Sequence, residues 1–186
     1  MGFSDRDGKT KDGTTRFCID YSRLNAVTKK NSYPLPLIEE CLASLGGAQW
    51  FCTLDLESGY WQIGMDEASK EHTAFTSHLG LFQFKVMSFG LCNAPATFQC
   101  MMDDMLEDLR IQNKCLVYID DVVVYAKTFE EMLQYLEEVL LKISSYGLKL
   151  KPKKCSLFRK EVEYLGRIVG RDGVKPNPEK LKAVRD

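Results

Sequence analysis

Two apolar segments, residues 115–119 and 122–125, are separated only by Asp120-Asp121. So abrupt a break between runs rich in Val, Ile and Tyr reads as a β-hairpin. A hairpin this apolar needs further strands and a core to cover it. The chain must therefore build an antiparallel sheet with two carboxylates at one of its turns. Its 186 residues suit one domain, and 45% hydrophobic with 27% charged residues is a globular balance that argues against disorder. The formal net charge of -1 gives no global attraction to nucleic acid, so any contact with phosphates must come from local basic surfaces.

The other elements follow from pattern. Residues 1–15 are rich in Gly, Lys, Asp and Thr and are expected to be a poorly ordered lead-in ending at Asp12-Gly13, with the folded domain over 16–186. A strand is predicted over 16–21. After Tyr33-Pro34-Leu35-Pro36, the spacing of Leu37, Ile38, Cys41, Leu42 and Leu45 predicts a helix that stops at Gly46-Gly47. Residues 50–56 read as a buried strand, and His78-Leu79-Gly80 as a hairpin turn.

Asn93 is placed to cap a helix with Pro95 in its first turn and Phe98, Met102, Met105, Leu106 and Leu109 as its apolar face. Asp103, Asp104, Glu107 and Asp108 fall on the other face, where a solvated surface is the simpler reading than a metal cluster. Thr128 and Glu131 form a capping box for a helix running to Gly147. Strands are predicted near 148–150 and 163–169, with a turn at Arg171-Asp172-Gly173 and a helix begun by Asn177-Pro178. Helices interleave with hairpins without a βαβ repeat, so the fold class is α+β, an antiparallel sheet with helices on one face.

Seven cysteines without a C-x-x-C pair read as reduced, mostly buried thiols, and His72 and His78 have no cysteine at zinc spacing. No apolar run reaches membrane-spanning length and no signal core opens the chain, so an intracellular, soluble protein is expected.

Asp55 ends an apolar strand in Thr53-Leu54-Asp55-Leu56, where an unpaired charge is costly and needs a partner or a metal. With Asp120 and Asp121 on a neighbouring strand it would make three acids. Three carboxylates suit two hard cations about 3.5 to 4 Å apart, the arrangement that transfers a phosphoryl group to a hydroxyl. Spacing alone leaves this open against a structural turn with a capped or salt-bridged Asp55.

From about residue 11 onward, an ordered series of motifs resembles the reverse transcriptases of gypsy-class LTR retrotransposons. Arg16-Phe17-Cys18-Ile19-Asp20-Tyr21 with Leu24-Asn25 is similar to the fingers signature, and Tyr33-Pro34-Leu35-Pro36 with Leu45-Gly46-Gly47-Ala48 to the link into the palm. Leu54-Asp55-Leu56-Glu57-Ser58-Gly59-Tyr60-Trp61-Gln62-Ile63 resembles the first catalytic motif, and Tyr118-Ile119-Asp120-Asp121 the second. Phe89-Gly90-Leu91-Cys92-Asn93-Ala94-Pro95-Ala96-Thr97-Phe98-Gln99 resembles the nucleotide and template motif, and Tyr164-Leu165-Gly166 the primer-grip hairpin.

The resemblance implies a polymerase palm with partial fingers and RNA-directed DNA polymerase activity, using two Mg²⁺ ions for which Mn²⁺ substitutes. It implies a primed RNA or DNA template, deoxynucleoside triphosphates and further polyprotein domains as partners, in a cytoplasmic virus-like particle or the nucleus. Asp55, Asp120 and Asp121 would be the metal ligands, with Asp121 the more weakly engaged. Arg16, with Lys11 or Lys9, would contact the triphosphate, though an exposed surface charge is the better reading of the lysines. The backbone at Leu56, Glu57 and Ser58 would lie against the phosphates, with Gly59 allowing a close turn.

Tyr60 would close the sugar pocket, and Phe89 and Gly90 would line the nucleotide pocket near the templating base, where residues alone suggest packed aromatics and a turn. Pro95 and Tyr118 fall on the template and primer side, and Leu165 and Gly166 would support the primer end, against a plain strand residue and a bulge. Lys149, Lys151 and Lys153 would share one face of an extended segment, open to phosphates or serving as a charged edge that discourages strand pairing.

The chain departs from the family pattern in three places. Asp20-Tyr21-Ser22-Arg23 carries its arginine one position late, Ser88 replaces a proline, and residues 1–10 supply no apolar strand, so the fingers hairpin is expected to lack half its pairing. No thumb, connection, RNase H, protease or integrase region follows or precedes, so a piece of a longer product is expected, active weakly or not at all by itself. A noncatalytic remnant that binds nucleic acid or protein is the competing class. Another palm-fold nucleotidyl transferase or cyclase is the third.

Overall fold

The computed structural model describes residues 18–178 and, as backbone, the pairs 8–9 and 15–16. In chain order the elements are β1 (Gly8–Lys9), β2 (Thr15–Arg16), α1 (Ser22–Val27), α2 (Ile38–Ser44), β3 (Trp50–Asp55), α3 (Glu67–Lys70), β4 (Phe75–Ser77), β5 (Gly80–Phe82), α4 (Ala94–Ile111), β6 (Cys115–Tyr118), β7 (Asp121–Ala126), α5 (Phe129–Ser145), β8 (Ser156–Arg159), β9 (Glu161–Tyr164), β10 (Arg167–Gly170) and β11 (Gly173–Pro176). Short 3₁₀ turns occupy Gly59–Gln62, Glu71–Thr73 and Pro152–Lys154. Helices and antiparallel strands alternate irregularly, an α+β fold. The chain divides into two units, Met1–Tyr33 with Ser58–Phe98, and Pro34–Glu57 with Gln99–Asp186.

The second unit is built on a four-stranded sheet in the order β6-β7-β3-β8, antiparallel at every pairing. Its register sets Phe51 opposite Tyr125, Thr53 opposite Val123 and Asp55 opposite Asp121, so these residues share one face. Cys52 opposite Val124 and Leu54 opposite Val122 share the other. On the first face, Phe51, Val123 and Tyr125 form a buried cluster with Cys41, Leu42 and Leu45 of α2 and with Val162, Tyr164 and Val169 of β9 and β10. On the second, the Cys52 sulfur lies 3.4 Å from that of Met132 in α5.

The expectation of helices on one face is therefore corrected. Helix α5 covers one side of the sheet, while α2 and the β9-β10 hairpin cover the other. Helix α5 is amphipathic as its spacing predicts, burying Met132, Leu136, Val139 and Ile143. Its capping box is formed in full: Thr128 Oγ1 accepts from the Glu131 N–H at 3.2 Å, and the Glu131 carboxylate accepts from the Thr128 N–H at 3.0 Å. Replacing Thr128 by Ala is expected to cost about 1 kcal/mol. That should lower the melting temperature by about 2–4 °C, read by circular dichroism.

In the first unit, β4 and β5 pair about His78-Leu79, with Gly80 at φ +122, as the turn signal predicts. Asn25 clasps the 90–92 loop, its Nδ2 donating to the Gly90 carbonyl at 2.8 Å and its Oδ1 accepting from the Cys92 N–H at 2.9 Å. Asn93 precedes α4, but its side chain does not serve as the expected cap. Its Oδ1 accepts from the Asn31 N–H and its Nδ2 donates to the Lys29 carbonyl, each at 2.9 Å, tying down the 29–31 loop.

Several expectations fail for definable reasons. Among the described residues, the strand predicted over 16–21 is formed at Thr15–Arg16 and is absent from 18–21. Residues 18–21 are irregular, and Asp20 Oδ1 accepts from the Ser22 N–H at 2.9 Å to start α1 instead. Within the expected unpaired lead-in, Gly8 pairs with Arg16 and Lys9 with Thr15, so the hairpin does have a second strand there. The other residues of 1–14 lie outside the described ones, as does the predicted terminal helix beyond Pro178. The predicted strand 163–169 is two strands joined by a turn, and β8 has no counterpart among the predicted strands. Of the cysteines, Cys41, Cys52 and Cys115 are buried, Cys18 is exposed and the others lie between.

Candidate active site

Asp55 is the last residue of β3 and Asp121 the first of β7, and they are direct cross-strand partners. Opposed residues in such a pair bring their Cβ atoms to about 4.5–5.5 Å. Asp120 stands in the two-residue turn between Tyr118 and Asp121, which also pair with each other. Neighbouring strand residues point to opposite faces, yet the charge of Asp120 acts on both Asp55 and Asp121. Lys154, at the end of the Pro152–Lys154 turn, places its Nζ 3.5 Å from Asp55 Oδ2.

Burial raises the Asp55 carboxyl above its usual range, Lys154 opposes that rise, and Asp120 adds to it. Asp121 is pushed up to about 6, first by burial and then by the charges of Asp120 and Asp55, with Lys154 opposing and Glu163 adding. Asp121 is exposed as a residue, yet its carboxyl is crowded by like charge. Mutually repelling oxygen donors of this kind are the donor set hard divalent cations take, and a bound cation would relieve the repulsion. Among the described residues no three such side chains yet form a closed ligand group. Register and electrostatic coupling are what support the fit.

The raised value has a thermodynamic sign. An acid whose folded pKa exceeds its unfolded value contributes stability only below the unfolded pKa, and loses it as pH rises through the folded one. For Asp121 that window runs from 3.8 to about 6. Without metal, Asp121→Asn should match the wild type near the bottom of this window and melt higher at pH 8. Solvent screening at an exposed residue limits the gain to about 1 kcal/mol. A variant that melts lower at pH 8 would contradict the assignment, and melting curves at both pH values decide.

The residues expected around the nucleotide are divided between the two units. In the first, the Tyr60 ring lies 5.3 Å from Phe89 and 5.5 Å from Phe98, and Trp61 lies 5.5 Å from Phe89. Tyr60 and Phe89 are thus half-buried members of one aromatic cluster. Gly90 has φ +90, which strains any side chain, and a Cβ there would also crowd the Ile19 carbonyl oxygen at 3.3 Å. The close turn expected of Gly59 is made by Ser58, at φ 52, while Gly59 is buried at the head of a 3₁₀ turn. Pro95 is half-buried in the first turn of α4.

In the second unit, Leu56 is buried and bridges Leu150, and the Glu57 N–H donates to the Lys149 carbonyl at 2.9 Å. That amide is already engaged within the chain. Lys151 Nζ lies 3.7 Å from Glu57 Oε1. The shared extended face expected for Lys149, Lys151 and Lys153 is corrected, because Pro152 starts a 3₁₀ turn that carries Lys153 out of line and delivers Lys154 to Asp55. Leu165 and Gly166, at φ 48 and 77, form a two-residue turn of the I′ pattern between Tyr164 and Arg167 rather than a bulge. Tyr118 and Leu165 both pack on the cluster beneath Asp121. Arg16 is described only as backbone in β2, Lys9 only as backbone in β1, and Lys11 lies outside the described residues.

Sequence reasoning assigned nothing to Lys154 or Gln99. A proline two residues before Lys154 was the available signal for the first. Gln99 is wholly buried, and its Oε1 accepts from the Ile119 N–H at 2.6 Å. A lone polar residue on the apolar stripe of α4 was the signal for the second. The acidic face expected to be solvated is corrected at Asp103, which accepts from Gln99 Nε2 at 2.8 Å and pairs with Arg110.

A family model described as reverse transcriptase (RNA-dependent DNA polymerase) matches residues 8–169. The chain is 44% identical over 169 residues to the retrovirus-related Pol polyprotein from transposon 297 of Drosophila melanogaster, covering 91% of this chain and 16% of that polyprotein. It is 39% identical over 171 residues to the polyprotein from transposon gypsy of the same organism, covering 92% and 16%. It thus spans about a sixth of the length of these relatives. Among solved structures, the foamy viral protease-reverse transcriptase dRH in complex with ds DNA aligns with a TM-score of 0.88 at 26% identity, over 95% of this chain and 31% of that one.

Proposed function

Since the chain belongs to the reverse transcriptase (RNA-dependent DNA polymerase) family, among the gypsy-class LTR retrotransposons, we propose that it carries the polymerase centre of a retroelement Pol polyprotein, adding deoxynucleotides to a primer on an RNA or DNA template. The observation that carries this is the register of Asp55 opposite Asp121 with Asp120 in the adjoining turn. Two Mg²⁺ ions, or Mn²⁺ in their place, would when bound activate the primer 3′-hydroxyl and offset the charge of the triphosphate and leaving group.

The chain's own residues do the rest. Asp55 and Asp120 would hold the ions, with Asp121, opposite Asp55 in register, the more weakly engaged third ligand. Lys154 neutralises Asp55 until a cation binds. By their match to the family motifs, Arg16 would contact the triphosphate, Tyr60 would limit the space at the sugar 2′ position, and Phe89 with Gly90 would line the nucleotide pocket. The turn at Leu165-Gly166, next to the face that bears Asp121, supports the primer end. Foamy viral relatives captured with ds DNA and with RNA/DNA hybrid support a duplex partner.

Two measurements on the purified chain test this reading. Mn²⁺ should bind to the wild type and bind far more weakly to Asp120→Asn. A DNA primer annealed to an RNA template should be extended in the presence of Mg²⁺ or Mn²⁺, weakly for so short a piece. Mn²⁺ affinity unchanged by loss of the carboxylate would overturn the site.

A further inference from the structure

Ile119 has φ +55, a conformation that β-branched residues rarely adopt. Asp120 does not share the positive φ, so the turn follows the II′ pattern, in which the first central position ordinarily belongs to glycine. An isoleucine there persists only if its surroundings hold it. Among the described residues no strand does so from outside, because β6 is the edge of its sheet.

Gln99 of α4 supplies the hold. Its side chain is entirely buried, its Oε1 accepts from the Ile119 N–H at 2.6 Å, and its Nε2 donates to the Val117 carbonyl at 3.4 Å and to Asp103 Oδ1 at 2.8 Å. The two ends of an amide are nearly the same shape, so something must decide which way it faces. Asp103 decides it. An ionised carboxylate only accepts, which forces Nε2 toward Asp103 and leaves Oε1 for the Ile119 N–H. Arg110 fixes Asp103 in turn by an ion pair to the same oxygen.

We infer that Gln99, oriented by Asp103 and Arg110, is a positioning residue for the acidic turn, holding Ile119 in its left-handed conformation and so setting where Asp120 and Asp121 project toward Asp55. This rests on the reading of those acids as metal ligands. Gln99 touches neither metal nor substrate in this role. It acts through the Ile119 amide, in the manner of outer partners that orient a first set of ligands.

The test compares Gln99→Met, Gln99→Glu, Asp103→Asn and the double variant Gln99→Glu/Asp103→Asn with the wild type. Three quantities are read on the whole chain: hydrogen exchange of the Ile119 amide by NMR without metal, Mn²⁺ affinity, and melting temperature. Gln99→Met fills the same space without the hydrogen bonds, and should speed Ile119 exchange by about tenfold and weaken Mn²⁺ binding by about tenfold or more. Gln99→Glu sets two carboxylates against each other and should be impaired likewise. The double variant exchanges the two groups, so that a carboxylate at position 99 again accepts from the Ile119 N–H while an amide at position 103 donates to it. Both readouts should then return toward wild type.

A residue that merely fills the core would lower the melting temperature while leaving Ile119 exchange and Mn²⁺ affinity in place, and the double variant would be no better than either single one. That result overturns the inference. If the wild type binds no Mn²⁺, the metal reading fails by itself, and Ile119 exchange still decides the role of Gln99. Should Gln99→Met fail to fold, Gln99→Glu and the double variant carry the comparison.

Discussion

If Asp55 holds metal as proposed, Asp55→Asn is expected to lower single-nucleotide addition to a primed RNA template by about a thousandfold, the loss of several kcal/mol of transition-state charge stabilisation. Its fold should be unharmed. The Asp55 carboxyl already has a raised pKa from burial and from Asp120, against an exposed lysine partner at 3.5 Å. A neutral isostere therefore removes a charge that its surroundings disfavour. Activity lost with the melting temperature kept or raised is the signature of a group retained for chemistry at the expense of stability. Rapid-quench incorporation and a melting curve on the same preparations check both halves, and a variant that turns over at the wild-type rate would remove Asp55 from the site.

The second large effect concerns the ground beneath the acids. Phe51→Ala should destabilise the chain by about 3–5 kcal/mol, the usual cost of an emptied aromatic site. Phe51 is fully buried on the central strand β3, between Tyr125 of β7 and Arg159 of β8 in register, and packs with α2 and the β9-β10 hairpin. A domain's whole stability is about 5–15 kcal/mol. Such a loss should lower the melting temperature by about 10 °C or more. Urea unfolding gives the energy directly, and a loss under about 1 kcal/mol would mean that the cluster is not the core of this unit.

How much of this was legible depends on how local the signal was. The β6-β7 hairpin, β3, α2, α4 and the capped α5 all follow from patterns within about twenty residues. The failures have local causes of another kind. Asp20 starts α1 where β-forming residues suggested a longer strand. Leu165 takes a left-handed conformation with no glycine of its own, which hides the turn between β9 and β10. Pro152 converts an alternating lysine pattern into a 3₁₀ turn, so Lys154 and not Lys153 reaches an acid.

By itself the sequence determined the long helices and the central hairpin, that two acids sit at a hairpin tip and a third ends a strand, and the family whose motifs the chain carries. These are properties of hydrophobic period, turn chemistry and residue order, all written along the chain. Only the tertiary structure decided that Asp55 faces Asp121, that Lys154 lies beside Asp55 across 99 positions, and that Gln99 braces Ile119 across 20. Strand register and helix placement are chosen by the joint packing of both faces of the sheet. An alternating pattern shows which face a residue takes, and packing against distant partners settles which residue it meets there.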